Sequence, residues 1–318
     1  MKTSILFAGF LLLMVSQLAA QPVARLYAVT FYDRQFITID TNSGLGTFMT
    51  NLPVTVFDIA ADSGKLWLQL VASGGERMRQ VDPWTGATFG ERVFSGTIPG
   101  GEGAMDFASD GTAFAAKSSD NVGTLFRMNP AQTNVVLVTT NGGLIPSLDG
   151  LAFDGDGLLY GLSQNVGGNF TLYTVNTNNG ATTAVGGLGI TFPTTGGSVA
   201  GLAFAPNGTL FAALGNPTES RLYRLNKLTG AATLIGSVGF PGVSGIRFLV
   251  PPPGPLAISR SGGQLRLAWP HVRGGFLESA QKVTGPWNNA GVSVSTNGAE
   301  AIAFVPGSES ERYFRLAQ

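Results

Sequence analysis

Five charged residues are the strongest candidates for chemistry in this chain: Asp58, Glu102, Asp106, Asp149 and Arg247. Four of them are carboxylates, which can work as acid, base or nucleophile when two of them flank a glycosidic bond. Arg247 can instead neutralise one of them, because a guanidinium and a carboxylate form a strong, directional ion pair. Which of these two roles applies depends on the strands and loops that position the five side chains.

Asp106 and Arg247 stand at the same place in a recurring apolar segment. The segments AMDF, GLAF, GLAF and GIRF have as their third residues Asp106, Ala152, Ala203 and Arg247. An earlier copy offers Ile59 at this place, or Asp58 if its strand bulges. Charges among small residues are unusual, because an unpaired charge near an apolar core is costly. We expect Asp106 and Arg247 to meet, either as an internal ion pair or within a polar ligand site that the other three candidates complete.

These segments belong to a hairpin that the chain repeats. The stretch GLAFAPNGTLFAAL begins at Gly201, and related stretches begin at Phe57, Ala104 and Gly150. Asp-Gly, Asn-Gly or Thr-Gly turns bound the short strands, as expected for β-hairpins. A second pair of short strands follows each hairpin, and its first strand ends in Asp40, Asp82, Asn129, Asn176 or Asn226.

A third marker gives the period of the repeat. An apolar residue and a proline precede each hairpin, and the prolines are Pro53, Pro99, Pro146, Pro193 and Pro241. They are 46, 47, 47 and 48 residues apart. Four short strands in each repeat of this length are the signature of a β-propeller blade. The sequence therefore predicts an all-β fold: a five-bladed β-propeller over residues 21–249.

One copy of the repeat is divided between the two ends of this region. GIRFLV at Gly245 has only the first strand, whereas RLYAVTF at Arg25 reads like the missing second strand. We therefore predict that the late strand pairs with the early one and closes the ring, which also removes an open sheet edge.

With these motifs, residues 24–250 resemble extracellular propellers of the NHL/YVTN and quinoprotein-like kind, whose repeats carry GLAFxPDGTLYA and LYxVDxxTG patterns. The resemblance implies the fold and does not imply an activity, because such repeats are shared by enzymes and binding proteins.

The sequence changes character after the propeller. VPPPGP at residues 250–255 predicts a stiff linker. Residues 256–318 contain alternating apolar positions in QLRLAW, AIAFV and YFRL, which predict six or seven strands in a small β-sandwich. This tail resembles a C-terminal module of secreted proteins from Verrucomicrobia and related bacteria. The resemblance implies a bacterial source and a role in sorting, surface attachment or glycan adhesion.

Composition bears on the location and partners of the protein. Residues 1–20 contain Lys2, an apolar run and Ala19-Ala20, the pattern of a signal peptide. We expect a secreted monomer at an extracellular, periplasmic or cell-surface location, with no membrane span after cleavage of this peptide. Lysine plus arginine and aspartate plus glutamate both number 19, which argues against nucleic acid as a partner. The chain has no cysteine and one histidine, His271, so we expect no thiolate metal site, no catalytic triad and no cofactor.

Three glycine-containing segments have a structural interpretation. DGDG at residues 154–157 lies where other repeats have their hairpin turn, and it lacks the further acidic ligands of a calcium loop. PGGEG at 99–103 and VGGLG at 185–189 do not link a strand to a helix, as a nucleotide-binding loop does. We expect both to be loops.

Two functions remain open from the sequence. The first is a non-catalytic binding or scaffold protein that presents a propeller face to a glycan or an extracellular protein. The alternative is an extracellular hydrolase or lyase, lactonase- or glycosidase-like, that uses Asp58, Asp106 and Asp149 at the channel mouth. Neutralisation of a carboxylate by Arg247 would favour the binding protein.

Overall fold

The computed structural model describes residues 24–71, 76–95, 102–119, 122–139, 145–165, 167–250, 256–270, 276–297, 300–306 and 312–317. These residues form strands and turns, with no helix among them, so the all-β prediction is confirmed. In the described part of the chain there is accordingly no helix long and apolar enough to cross a membrane. The predicted signal peptide, most of the predicted linker and His271 lie outside the described residues.

The chain divides into two compact units, one over Ala24–Pro252 and another that contains Pro253–Gln318. The strands of the first unit are β1 (Arg25–Thr30), β2 (Gln35–Ile39), β3 (Gly46–Asn51), β4 (Val56–Asp62), β5 (Lys65–Leu70), β6 (Arg77–Val81), β7 (Thr88–Val93), β8 (Glu102–Phe107), β9 (Ala113–Ser119), β10 (Val122–Asn129), β11 (Asn134–Leu137), β12 (Ile145–Pro146), β13 (Leu148–Phe153), β14 (Leu159–Asn165), β15 (Asn169–Val175), β16 (Thr182–Thr191), β17 (Val199–Phe204), β18 (Leu210–Gly215), β19 (Ser220–Leu225), β20 (Ala232–Ser237) and β21 (Val243–Leu249).

The strands of the first unit form antiparallel sheets that follow the repeats. Sheet 1 has the order β4-β5-β6-β7, and sheet 2 has the order β8-β9-β10-β11 with β12 beside β10. Sheet 3 is β13-β14-β15-β16, and sheet 4 is β17-β18-β19-β20. Sheet 5 combines both ends of the unit in the order β21-β1-β2-β3. Its register pairs Arg25 with Leu249 and Val29 with Gly245.

The first strand of each sheet, here called an inner strand, makes its most extensive inner-strand contacts with two other sheets. These contacts run from β4 to β8, β13, β17 and β21, and from β21 back to β4. Five clusters of buried apolar side chains follow the same order, and each contains residues of two successive sheets. Each sheet therefore buries both of its apolar faces, which supplies the main stabilisation of this unit.

Two glycine-containing segments have different outcomes. At Asp154, the carboxylate accepts the backbone N–H groups of Asp156 and Leu158, and the segment is a hairpin turn as predicted. VGGLG, by contrast, lies inside β16, so the predicted loop is wrong. A Cβ at Gly186 would lie 2.2 Å from the carbonyl oxygen of Thr229. Gly186 therefore permits the close approach of a neighbouring turn.

The second unit contains two antiparallel sheets. Its strands are β22 (Ala257–Ser261), β23 (Gln264–Pro270), β24 (Phe276–Ala280), β25 (Asn288–Asn289), β26 (Val294–Asn297), β27 (Glu300–Pro306) and β28 (Tyr313–Ala317). One sheet has the order β22-β23-β27-β26 and the other β25-β24-β28. Leu267 and Trp269 of the first sheet share a buried cluster with Leu277 of the second, so this unit has its own core.

Candidate functional site

The inner strands share a row of positions that lie opposite aromatic residues of the second strands. The pairs are Ala60–Trp67, Asp106–Phe114, Ala152–Tyr160, Ala203–Phe211 and Arg247–Tyr27. The predicted alignment was therefore wrong in sheet 1, where Ala60 holds this position and not Ile59 or Asp58. The reason is the turn: Asp62 pairs with Lys65 across two residues, whereas the equivalent turn of sheet 2 has five.

Asp106 and Arg247 form an ion pair across the cycle of inner strands. The guanidinium Nη1 of Arg247 lies 2.6 Å from Oδ2 of Asp106. Asp106 is fully buried, and the Arg247 side chain is 17% exposed. Their strands, β8 and β21, are separated by β4 in the cycle. The pair therefore links two sheets that are not neighbours, and the structure brings together the two residues that the sequence singled out.

Asp106 also binds the strand that follows it in the cycle. Its Oδ1 accepts the N–H of Phe107 at 2.7 Å, and its Oδ2 accepts the N–H of Phe153 at 2.7 Å. Phe153 belongs to β13, the inner strand of sheet 3. Both carboxylate oxygens are thus engaged by protein donors, as a buried charge requires.

Asp58 makes the same kind of contact one sheet earlier. Its Oδ1 accepts the N–H of Ile59, and its Oδ2 accepts the N–H of Met105 in β8, both at 2.8 Å. The side chain is 2% exposed. Asp58 and Asp106 therefore connect sheet 1 to sheet 2 and sheet 2 to sheet 3 through buried carboxylates.

Asp58 stands two residues before Ala60 of the row, and glycines take the equivalent place in sheets 3, 4 and 5. A Cβ at Gly150 would lie 2.9 Å from the backbone N of Leu202, and one at Gly201 would lie 2.7 Å from that of Ile246. A Cβ at Gly245 would lie 2.3 Å from Oδ1 of Asp58. These three sheets therefore meet the next inner strand by close backbone approach, where a side chain would clash.

Burial governs the ionisation of the two aspartates. It raises the pKa of Asp58 well above 3.8, although the N–H groups of Met105 and Ile59 favour the ionised form. Burial also raises the pKa of Asp106, and the guanidinium of Arg247 opposes that rise. The folded chain therefore binds protons at these sites more tightly than the unfolded chain does.

This difference predicts how Asp58 affects stability as pH changes. Between pH 3.8 and the raised pKa of Asp58, unfolding releases its proton, so its contribution to the free energy of unfolding should fall as pH rises. The advantage of the wild type over Asp58→Asn should shrink across this range in denaturant titrations. Asp40→Asn is the control, because hydrogen bonds from Ser43 and Asn42 lower the pKa of Asp40. The difference in the free energy of unfolding between the wild type and Asp40→Asn should instead grow as pH rises. If the difference between the wild type and Asp58→Asn did not change with pH, the raised pKa of Asp58 would be contradicted.

Asp149 lies apart from the ion pair. It is the extra residue of a bulge in β13, is 9% exposed, and accepts the N–H of Gln164 at 3.1 Å. It lines a cavity of about 10 Å³, the scale of one water molecule. Residues from all five inner strands line this cavity: Phe57, Gly103, Asp149, Val199, Ala200 and Ser244. We call this end of the inner strands the mouth. The side chain of Glu102 lies outside the part of the molecule that the structure describes.

Sequence analysis missed a second buried ion pair near the mouth. Lys117 Nζ lies 3.1 Å from Oε2 of Glu76, and the side chains are 6% and 2% exposed. Lys117 Nζ also lies 4.3 Å from the ring centroid of Phe57. The amide of Gln69 is buried, and neither of its polar atoms has a hydrogen-bond partner among the described residues. The available signal was a polar residue inside each apolar run, Gln69 in LWLQL and Lys117 in AFAAK, whereas Glu76 lies in neither run.

Comparisons with known proteins give remote likenesses. No family model matches the chain, and no curated protein matches it. A chain of the nidogen/laminin complex is 14% identical over 77% of this chain and 84% of its own, with a TM-score of 0.43. TolB from Acinetobacter baumannii is 14% identical over 94% of this chain and 67% of its own, with a TM-score of 0.41. Luciferin-regenerating enzyme is 14% identical over 80% of this chain and 86% of its own, with a TM-score of 0.42.

Proposed function

We propose that the first unit is a five-bladed β-propeller in which sheets 1 to 5 are the blades. The pairing of β21 with β1 would close the ring. Two observations support this proposal: the inner strands contact one another in a cycle that returns to β4, and the buried apolar clusters follow the same order. A ring of sheets buries both faces of every blade and leaves only short edges exposed.

We also propose that the protein is secreted by cleavage of residues 1–20 and that residues 250–255 are a linker. The tail from residue 256 would be a β-sandwich for sorting, attachment or adhesion. The support for secretion is the pattern of Lys2, an apolar run and Ala19-Ala20. The support for the tail is its separate core shared by two sheets.

The proposed activity is non-catalytic binding of a glycan or an extracellular protein at the mouth. The observation that carries this proposal is the neutralisation of Asp106 by Arg247. A glycosidase needs carboxyl groups that reach the substrate from two sides. The oxygens of Asp58 and Asp106 are instead buried and accept protein N–H groups. They hold the blades together, whereas Asp149 is the described carboxylate that lines the mouth.

The test combines a glycan array with a turnover screen on lactones and aryl glycosides, using the secreted protein. We expect binding of at least one glycan or of a purified extracellular partner, without turnover. Asp149→Ala should weaken that binding at least tenfold, whereas Asp33→Ala, an exposed change in the turn after β1, should leave it unchanged. Turnover that Asp149→Ala abolishes would overturn the proposal in favour of the hydrolase.

A further inference from the structure

A pocket lies between sheets 2 and 3 at the end of the inner strands opposite the mouth. Its volume is about 540 Å³, within the range of roughly 300–1,000 Å³ found for small-molecule sites. Sheet 2 contributes the turn Ala108–Thr112 and residues of β10 and β11, and sheet 3 contributes Phe153 and Thr177 among others. We call it the 2/3 pocket.

The next groove shows why the 2/3 pocket is open. Between sheets 3 and 4, Lys227 Nζ lies 3.3 Å from Oδ2 of Asp154 and 5.8 Å from the ring centroid of Phe204. Asp154 is the first residue after β13, and Ala108 is the first residue after β8, so the two residues hold equivalent positions. Lys227 and Thr177 are also equivalent, because each comes directly after the asparagine of the corresponding turn, Asn226 or Asn176. The two positions that hold an ion pair in one groove therefore hold short side chains in the other.

The floor of the 2/3 pocket is aromatic. Phe114 and Phe153 meet edge to face, with their ring centroids 5.6 Å apart. Arg127 pairs with Phe114 on one side and with Val136 on the other, so these three side chains lie on one face of sheet 2. An apolar floor of this kind can cover the less polar face of a small ligand.

The rim of the 2/3 pocket is polar. The side chain of Arg127 makes no ion pair or hydrogen bond with any residue in the described part of the chain. The side-chain amides of Gln132, Asn134 and Asn178 also line the pocket. Asp110 supplies the one carboxylate, whose Oδ1 accepts the N–H of Thr112. The lining thus carries one positive and one negative charge.

This lining suits a neutral ligand that is rich in hydroxyl groups. An amide side chain both donates and accepts hydrogen bonds, as a hydroxyl group does, and a guanidinium supplies five donors. The opposite charges of Arg127 and Asp110 leave no net charge to attract an ionic ligand. We propose that the 2/3 pocket binds a short neutral oligosaccharide. This site is separate from the mouth and does not depend on the function proposed there.

The test is calorimetric titration of the secreted protein with neutral di- to tetrasaccharides of glucose, N-acetylglucosamine, xylose and galactose. We expect at least one of them to bind, and Arg127→Ala to weaken it at least tenfold. Arg224→Ala is the matched control, because Arg224 is exposed and pairs with Phe211 in sheet 4 as Arg127 pairs with Phe114. It should leave the affinity unchanged.

A second variant fills the pocket and keeps Arg127, Asp110 and the three amide side chains. Ala108→Asp with Thr177→Lys transfers the ion pair of the neighbouring groove, so it should preserve the unfolding temperature and abolish binding. Asp149→Ala at the mouth should leave this binding unchanged. The proposal is overturned if none of the saccharides binds, if the filled variant still binds, or if Asp149→Ala or Arg224→Ala weakens binding as much as Arg127→Ala.

Discussion

Replacing Arg247 with alanine should lower the free energy of unfolding by about 3–5 kcal/mol, the usual cost of leaving a buried charge without its partner. Asp106 is fully buried, and its partner lies 2.6 Å away. For a unit of this size the loss corresponds to a fall of roughly 6–20 °C in the unfolding temperature. Calorimetry of the wild type and the variant measures it.

The effect should depend on pH with a defined sign. Without Arg247, the pKa of Asp106 rises further, because burial acts without the opposing guanidinium. The loss should therefore be largest at neutral pH and should shrink in acid as Asp106 takes up a proton. Arg77→Ala is the control, since Arg77 is 42% exposed and Glu91 keeps Arg79 as a partner. It should cost no more than about 1 kcal/mol, and an equal loss in both variants would rule out a special role for the buried pair.

Gly245→Ala is expected to destabilise the first unit by about 3 kcal/mol, at the upper end of typical overpacking costs. Its Cβ would lie 2.3 Å from Oδ1 of Asp58 and 2.7 Å from the backbone N of Ile59. The backbone atom cannot rotate away, so β21 would have to move from β4. Denaturant titration measures the loss.

The control for this change is Gly155→Ala, where a Cβ would have no atom within 4 Å. It should alter the free energy of unfolding by less than about 1 kcal/mol. The comparison also tests the proposed closure, because Gly245 belongs to the last strand of the unit and Asp58 to the first inner strand after sheet 5. Equal stabilities of the two variants would mean that these strands do not abut.

The sequence predicted the strands well because their signals are local. Alternating apolar residues and Gly-containing turns mark each hairpin, and the all-β class and repeated four-stranded sheets are confirmed. The meeting of Asp106 with Arg247 followed from their shared place in the repeat. The position of Asp58 did not, because a turn three residues shorter changes the register by one position in a way that spacing alone does not reveal.

The remaining site features depend on contacts between repeats. The pairing of Lys117 with Glu76 joins residues of different sheets, and the 2/3 pocket exists because Ala108 and Thr177 are short. Neither feature leaves a periodic pattern. The prediction for VGGLG was wrong for a similar reason, because Gly186 makes room for Thr229 of the next sheet and does not mark a local turn.

The two kinds of junction between inner strands mean that the repeats are no longer interchangeable copies. Asp58 and Asp106 supply acceptors to the strand ahead, whereas Gly150, Gly201 and Gly245 let the backbone of the next strand approach closely. A permutation that moved the third copy into the first place would leave the N–H of Met105 without an acceptor. Recombination within the gene that adds, deletes or reorders a repeat would therefore create mismatched junctions on both sides of that repeat. Each repeat is for this reason restricted to its present position in the chain.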